Sequence, residues 1–315
     1  MSPSSAAARF GMSSSARTER SIATRRRSVT IASMCMPEDT AQRVDPAVIE
    51  RCLAVLRQAP AGLFTDIDGT ISAIAPTPAA AVISDAAREA LRRLAQHLAF
   101  VGVITGRSAD DGSAMLGIPG VTVVGNHGLE WRVGEERWVH PSAAATVAAI
   151  STALDEIRAA AAATGITEGL VFENKHLTAS LHYRLAPRPH QVRDELLALA
   201  RAAAERHGLR VTEGRYVVEL RPALVINKGT AMIDLAHHHH LRGVAYFGDD
   251  VTDVDAFEAV KTLRDTEGIA AISVAVVGAE THPSVAAAAD ATVTGVDGCI
   301  ALLQALADRL AGQSP

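Results

Sequence analysis

The chain has 315 residues, 48% of them hydrophobic and 21% charged, a globular composition long enough for one large domain or two modest ones. A formal net charge of −5 gives no electrostatic footing for nucleic acid or an anionic membrane surface, and no apolar run reaches the roughly 18–20 residues that span a bilayer. Cys35, Cys52 and Cys299 are too widely separated for a disulfide framework or a zinc site and point to a reducing compartment, taken as the cytoplasm.

Residues 1–36 are rich in Ser, Ala and Arg, with Arg25, Arg26 and Arg27 consecutive and Glu19 the one acid. The stretch lacks the apolar core of a secretory signal. It reads as a disordered tail, or as a misassigned start with Met36 the initiator, in preference to an organelle transit peptide. Residues 1–45 are expected to be a disordered extension. Apolar spacing then predicts a helix over 46–58, followed by a buried strand over 61–65 that stops at Asp66-Ile67-Asp68-Gly69-Thr70. Carboxylates at i and i+2 on extended chain share one side, and Gly69 allows a sharp turn. The same residues also occur in ordinary turns and helix caps. Ser84 is a good N-cap for a helix over 85–96. A strand over 99–104 ends in Thr105-Gly106-Arg107-Ser108, and after another helix a strand over 121–124 ends in Gly125-Asn126-His127-Gly128. Alternating strands and helices with polar strand ends predict a parallel, doubly wound, Rossmann-like sheet.

The pattern changes at residue 141. An alanine-rich helix over 142–163, strands over 170–173 and 178–183, a helix over 189–207, and strands over 210–212 and 216–220 read as an inserted α+β cap domain, 141–223. The α/β core, 46–140 and 224–315, resumes with a helix from Lys228 and a strand over 244–247 that ends in Gly248-Asp249-Asp250-Val251-Thr252-Asp253. A strand over 272–277 and a helix over 298–311 complete it. Trp131 and Trp138 suit hairpin or domain-junction packing better than stacking on a ligand ring. The run His237–His240 points around a helix axis and suits a solvated helix end better than a metal site.

The strand-end clusters supply what phosphoryl transfer through an aspartate needs. Asp66 can attack phosphorus. Asp68 can protonate the leaving oxygen and later deprotonate water. Asp66, Asp249 and the Asp68 carbonyl offer hard oxygens to Mg²⁺, with Asp250 and Asp253 around them. Thr105 and the Gly106 amide suit phosphate oxygens, and Lys228 adds a point charge. Each cluster alone has an ordinary reading as a turn or a solvated loop. The order of all of them on one α/β alternation is specific.

These motifs resemble the haloacid dehalogenase superfamily of phosphohydrolases. The stretches Gly125–Trp131, Glu173-Asn174-Lys175-His176, Leu181-His182-Tyr183-Arg184, Gly214-Arg215 through Glu219-Leu220-Arg221-Pro222, Asn227-Lys228-Gly229 and Tyr246–Asp253 resemble, more narrowly, the trehalose-6-phosphate phosphatases, over about residues 60–310. The resemblance implies the haloacid dehalogenase fold with its inserted cap, Asp66 as nucleophile and Asp68 as acid/base. It also implies a Mg²⁺ site drawn from Asp66, Asp68, Asp249 and Asp253, phosphate contacts from Thr105, Gly106, Arg107 and Lys228, and a monomer acting on a small sugar phosphate. Sugar contacts would come from Asn126, His127 and Gly128 and, in the cap, from Glu173, Lys175, His182, Arg184, Arg215 and Glu219. On antiparallel strands such polar residues are equally the ordinary solvent face. Ile67 and Ile71 stand where the family usually has Tyr and Leu, and Val254 stands where an acid is common. Other phosphorylated glycosides, a transferase and a non-catalytic sugar-phosphate sensor are the competing readings.

Overall fold

The structure, a computed structural model, describes residues 44–312; the expectation for the N-terminal extension lies almost wholly outside them. Helix α1 (Pro46–Leu56) precedes β1 (Ala61–Thr65). Then come α2 (Asp85–Leu94), β2 (Phe100–Ile104), α3 (Ala109–Leu116), β3 (Thr122–Gly125) and a hairpin of β4 (Glu130–Val133) and β5 (Glu136–Val139). Next are α4 (Pro141–Ala144), α5 (Val147–Thr164), β6 (Val171–Asn174), β7 (Ala179–His182), α6 (Pro189–His207), β8 (Leu209–Gly214) and β9 (Val217–Pro222). The last stretch holds α7 (Lys228–His238), β10 (Gly243–Gly248), α8 (Val254–Glu267), β11 (Ala270–Val277), α9 (Pro283–Ala288), β12 (Ala291–Thr294) and α10 (Gly295–Ala311).

Eight strands form one sheet of order β12-β11-β10-β1-β2-β3-β4-β5, parallel from β12 to β3 and antiparallel in the terminal hairpin. Every residue of β1 is buried, because both faces are covered. Leu63 joins the core formed with α1, α2 and α10, whereas its neighbour Phe64 joins the opposite core formed with α7 and α8. That is why the strand reads as a continuous apolar run instead of an alternation.

The four remaining strands make a separate antiparallel sheet, β6-β7-β9-β8. Leu181, Val218 and Leu220 on one of its faces pack with Ile150, Leu154 and Ile157 of α5 and Leu196 and Ala200 of α6, leaving the other face for the cavity described below. The expected helix over 142–163 is two helices: at Thr146 the backbone leaves helical geometry (φ −99°, ψ 0°) and the chain turns between α4 and α5. Strands β4, β5 and β12 go beyond the sequence reading. Each has four residues at or near a sheet edge, too few to establish a period of two.

Candidate active site

Strands β1 and β10 lie side by side, so the acids that follow them meet. The Asp66 amide donates to the Phe247 carbonyl at 2.9 Å, continuing the ladder one residue past β1. Beyond it the chain doubles back, with Gly69 N donating to Ser72 O at 2.7 Å. Gly69 has φ +91°, and a Cβ there would lie 2.0 Å from Asp249 Oδ2, so only glycine fits. Thr70 Oγ1 then donates to Asp249 Oδ1 at 3.1 Å. The Asp-x-Asp-Gly-Thr run thus seats one acid loop against the other.

Asp253 is the hub of the second loop. One of its oxygens accepts from Lys228 Nζ at 2.8 Å and Tyr246 Oη at 2.6 Å. The other accepts from the amides of Asp249 and Asp250 at 3.1 and 3.0 Å. Lys228, the first residue of α7, is placed by an N-terminal capping box between Asn227 and Thr230. Its Nζ also lies 3.1 Å from Asp66 Oδ1, but outside hydrogen-bond geometry, and that buried oxygen has no hydrogen-bond donor.

Oxygen atoms of Asp66, Asp249 and Asp253 lie within 4.8 Å of one another. Three buried carboxylates around one ammonium, with the Arg215 guanidinium at Asp249, still carry excess negative charge. Burial first, and then the neighbouring acids against the pull of Lys228, push the Asp66 carboxyl well above its ordinary range. Asp249 is pushed up to about 7 by burial and by Asp253. Burial would lower Lys228, but Asp253 and Asp66 outweigh it and hold the amine protonated. Excess charge, an undonated Asp66 oxygen and an all-oxygen donor set suit a hard divalent cation, so these acids can hold a metal ion.

The second and third polar loops zip together. His127 N donates to Thr105 O at 2.9 Å and Asn126 N to Arg107 O at 2.7 Å. Asn126 and His127 both adopt left-handed backbone, φ 48° and 59°. Thr105 Oγ1 accepts from the Arg107 amide at 3.2 Å, which leaves its own proton free to donate. Arg107 turns to Asp68: Nε to Oδ2 at 2.6 Å and Nη2 to Oδ1 at 2.7 Å. Gly128, at φ 113°, lets the turn pack against Ala231 of α7.

The second sheet presents its own charges to the same space. Lys175 Nζ donates to Gly106 O at 2.7 Å and to Glu219 Oε1. Glu219 Oε2 lies 3.0 Å from His127 Nε2. Burial would raise Glu219, but Lys175 and His127 hold it well below the usual carboxylate range. Burial lowers His127 to about 4. Its ring is therefore neutral near pH 7, donating from Nε2, while buried Nδ1 has no partner. Glu173 pairs with His182 at 3.0 Å. Arg184 lies over the Tyr216 ring and pairs with Glu280 at 2.9 Å. From the tip between β8 and β9, Arg215 reaches Asp249 Oδ2 at 2.9 Å.

One cavity between the two sheets is lined by Asp66, Asp68, Asp249, Lys228, Thr105, Gly106, Arg107 and His127 from below. From above it is lined by Glu173, Lys175, His182, Arg184, Arg215 and Glu219. Asn126, Gly128 and Asp253 stand behind that lining and brace it. Sequence reasoning passed over Thr70 and Tyr246, which donate to the acids, and Thr178 and Ser180, whose hydroxyls reach Asn126 at 2.6 Å and Glu219 at 3.3 Å. Tyr246 stood inside an apolar strand, and a lone phenol there is itself a signal, since buried Tyr hydroxyls take partners.

A parallel sheet with an aspartate pair after its first strand, a buried lysine and a second acid loop, under an inserted antiparallel sheet, is the architecture of haloacid dehalogenase-type phosphohydrolases. The trehalose-phosphatase family model matches residues 64–294, and the chain belongs to that family. It is 37% identical over 204 residues to a trehalose-phosphate phosphatase of Mycobacterium bovis, covering 63% of this chain and 51% of that one. The chain therefore spans about half the length of the curated relatives it matches. The C-terminal domain of the Candida albicans trehalose-6-phosphate phosphatase superposes with TM-score 0.70 at 22% identity, covering 84% and 98% of the two chains. An Aspergillus fumigatus trehalose-6-phosphate phosphatase gives 0.54 at 25%, covering 83% and 97%. Among the described residues no helix is long and apolar enough to cross a membrane.

Proposed function

We propose that this chain is a Mg²⁺-dependent phosphatase that hydrolyses trehalose 6-phosphate to trehalose and phosphate through an aspartyl-phosphate on Asp66. The observation that carries the reaction is the undonated, buried Asp66 oxygen beside Lys228 and Asp249, on the floor of a cavity ringed with charge. The family and the names of its relatives support the substrate.

An Asp66 oxygen bonds to phosphorus as the bond from phosphorus to the sugar oxygen breaks, and Asp68 gives that oxygen its proton. Asp68 then takes a proton from water, whose oxygen bonds to phosphorus and frees the Asp66 carboxylate. Lys228 and the Thr105 hydroxyl face the phosphoryl oxygens. Asp66, Asp249 and the Asp68 carbonyl would hold Mg²⁺, which when bound neutralises the acids and the phosphoryl charge. Asp253, its oxygens already taken by four donors, orients that set as a brace. The sugar meets His127 of the core and, on a cap assigned to 141–223 over a core of 46–140 and 224–315, Glu173, Lys175, His182, Arg184, Arg215 and Glu219. Cys52 and Cys299 are free, buried thiols, in keeping with a reducing, cytoplasmic setting.

The test is phosphate release from a panel of sugar phosphates, with Mg²⁺ and with EDTA, beside Asp66→Asn. Trehalose 6-phosphate should turn over fastest, and activity should vanish in EDTA and in the variant. Preference for another phosphorylated glycoside would keep the reaction and overturn the substrate. No release from any would overturn both.

A further inference from the structure

Arginine is the residue type that grips phosphate with a planar fork, and a Thr-Gly-Arg turn beside a phosphate site invites that assignment for Arg107. The geometry points elsewhere. Nε and Nη2, one whole edge of the fork, are bonded to the two oxygens of Asp68, and Nη2 also donates to the Pro78 carbonyl at 2.9 Å. Two of the three guanidinium nitrogens are thereby committed, leaving Nη1. The Arg107 side chain is 15% exposed and that of Asp68 32%, so the pair sits at the cavity wall with Asp68 the more open partner.

Asp68 needs such a hold. Its neighbours in the acid cluster are fixed by Lys228, Thr70, Tyr246 and backbone amides, whereas Arg107 is the one side chain bonded to the Asp68 carboxylate among the described residues. Its loop is closed by bridges from Ser72 to Asp68 and to Ile83 and by Ser72 Oγ donating to Val82 O at 3.0 Å. Arg107 ties that loop to Pro78 and, through its own backbone, to Thr105 and Asn126. We propose that Arg107 is a positioning residue: its fork aims the Asp68 carboxylate at the leaving sugar oxygen, and it is not a ligand of the phosphoryl group. This rests on the phosphatase reading above. Each carboxylate oxygen retains a lone pair outside the fork, so Asp68 can give and take its proton while Arg107 sets its plane. Misplacing an acid/base group by about 1 Å costs on the order of a hundredfold in rate.

The experiment compares Arg107→Ala, Asp68→Asn and the double variant on two substrates of different leaving group. With trehalose 6-phosphate, whose alkoxide needs a proton, Arg107→Ala should lower kcat about a hundredfold with KM little changed. The double variant should be no slower than Asp68→Asn, because effects of residues that act as a unit do not multiply. With p-nitrophenyl phosphate, whose phenolate leaves unaided, both single variants should release a burst of one p-nitrophenolate per active site and then turn over slowly, since only the water step lacks its base. Inhibition by inorganic phosphate should be unchanged. If instead phosphate inhibition weakens about tenfold, both substrates lose their first step equally and the double-variant losses multiply, Arg107 is a phosphate ligand and the inference falls. Where Arg107→Ala does not fold, Arg107→Lys, which keeps charge and stem and loses the fork, is read by the same four outcomes. A wild type without sugar-phosphate turnover or burst would overturn the phosphatase reading itself, a result separable from all of these.

Discussion

On the floor of the cavity, three buried carboxylates face one lysine, with Arg215 of the cap reaching one of them; in its roof, Glu219 alone meets Lys175, the Ser180 hydroxyl and, from the core beneath, His127. The two regions are equally buried and oppositely balanced. The floor has more negative charge than its own donors satisfy, and Asp66 and Asp249 rise in pKa. The roof has donors enough, and Glu219 falls. Unbalanced buried charge is costly unless something else neutralises it, so the floor is suited to a guest cation. Glu219 in the roof already has its donors and can exchange its pairings for hydroxyls one at a time. On the function proposed above, reaction and selectivity are thus carried by different electrostatics.

The largest way to break this contrast is to remove the floor's lysine. Lys228→Met keeps much of the stem and leaves Asp66 and Asp253 without their cation. Breaking a buried pair in this way costs about 3–5 kcal/mol, so in EDTA the urea midpoint should fall steeply. Mg²⁺ should recover part of the loss, because it binds only the folded acids. A variant as stable as wild type in EDTA would mean that the floor is already balanced.

A smaller effect is expected in the roof. Glu219→Gln keeps the shape and removes the charge that Lys175 and His127 face. A hydrogen bond to a charged group is worth about 1.5–3 kcal/mol, so KM for trehalose 6-phosphate should rise about tenfold or more, while p-nitrophenyl phosphate, with no sugar, changes little. Equal losses on both substrates would place Glu219 with the reaction chemistry.

The floor was far more legible than the roof. Asp66, Asp68, Lys228 and Asp249 each follow a strand or open a helix that local pattern identifies, and a parallel sheet carries such residues to one edge. Which way each side chain turns was not legible. Arg107 looks like an anion ligand in its turn, and only the fold shows Asp68, 39 positions away, within reach of its fork. The roof pairs are of that kind throughout: Lys175 and Glu219 are 44 positions apart, and nothing local to β6 or β9 separates a cavity-facing acid from a solvated one.

The subtlest separation of the two regions is by pH. In the metal-free protein Asp249 holds its proton up to about 7 against 3.8 for a free carboxyl. The folded state therefore binds more protons than the unfolded state between those values, and the contribution of Asp249 to stability falls as pH rises from about 4 to 7. His127, the core residue that pairs with the roof acid Glu219, has the opposite sign. It is lowered from 6.5 to about 4, so the unfolded state binds more protons there and the contribution of His127 rises over the same interval. Wild type sums the two, and single variants separate them. In EDTA the Tm advantage of wild type over Asp249→Asn should shrink as pH rises from 4 to 7, and its advantage over His127→Gln should grow from 4 to 6.5 and level off above. Saturating Mg²⁺, by keeping Asp249 ionised in the folded state, should abolish the first trend and leave the second. If Mg²⁺ altered both trends alike, floor and roof would be one coupled electrostatic unit, and the division of reaction from selectivity drawn above would fail.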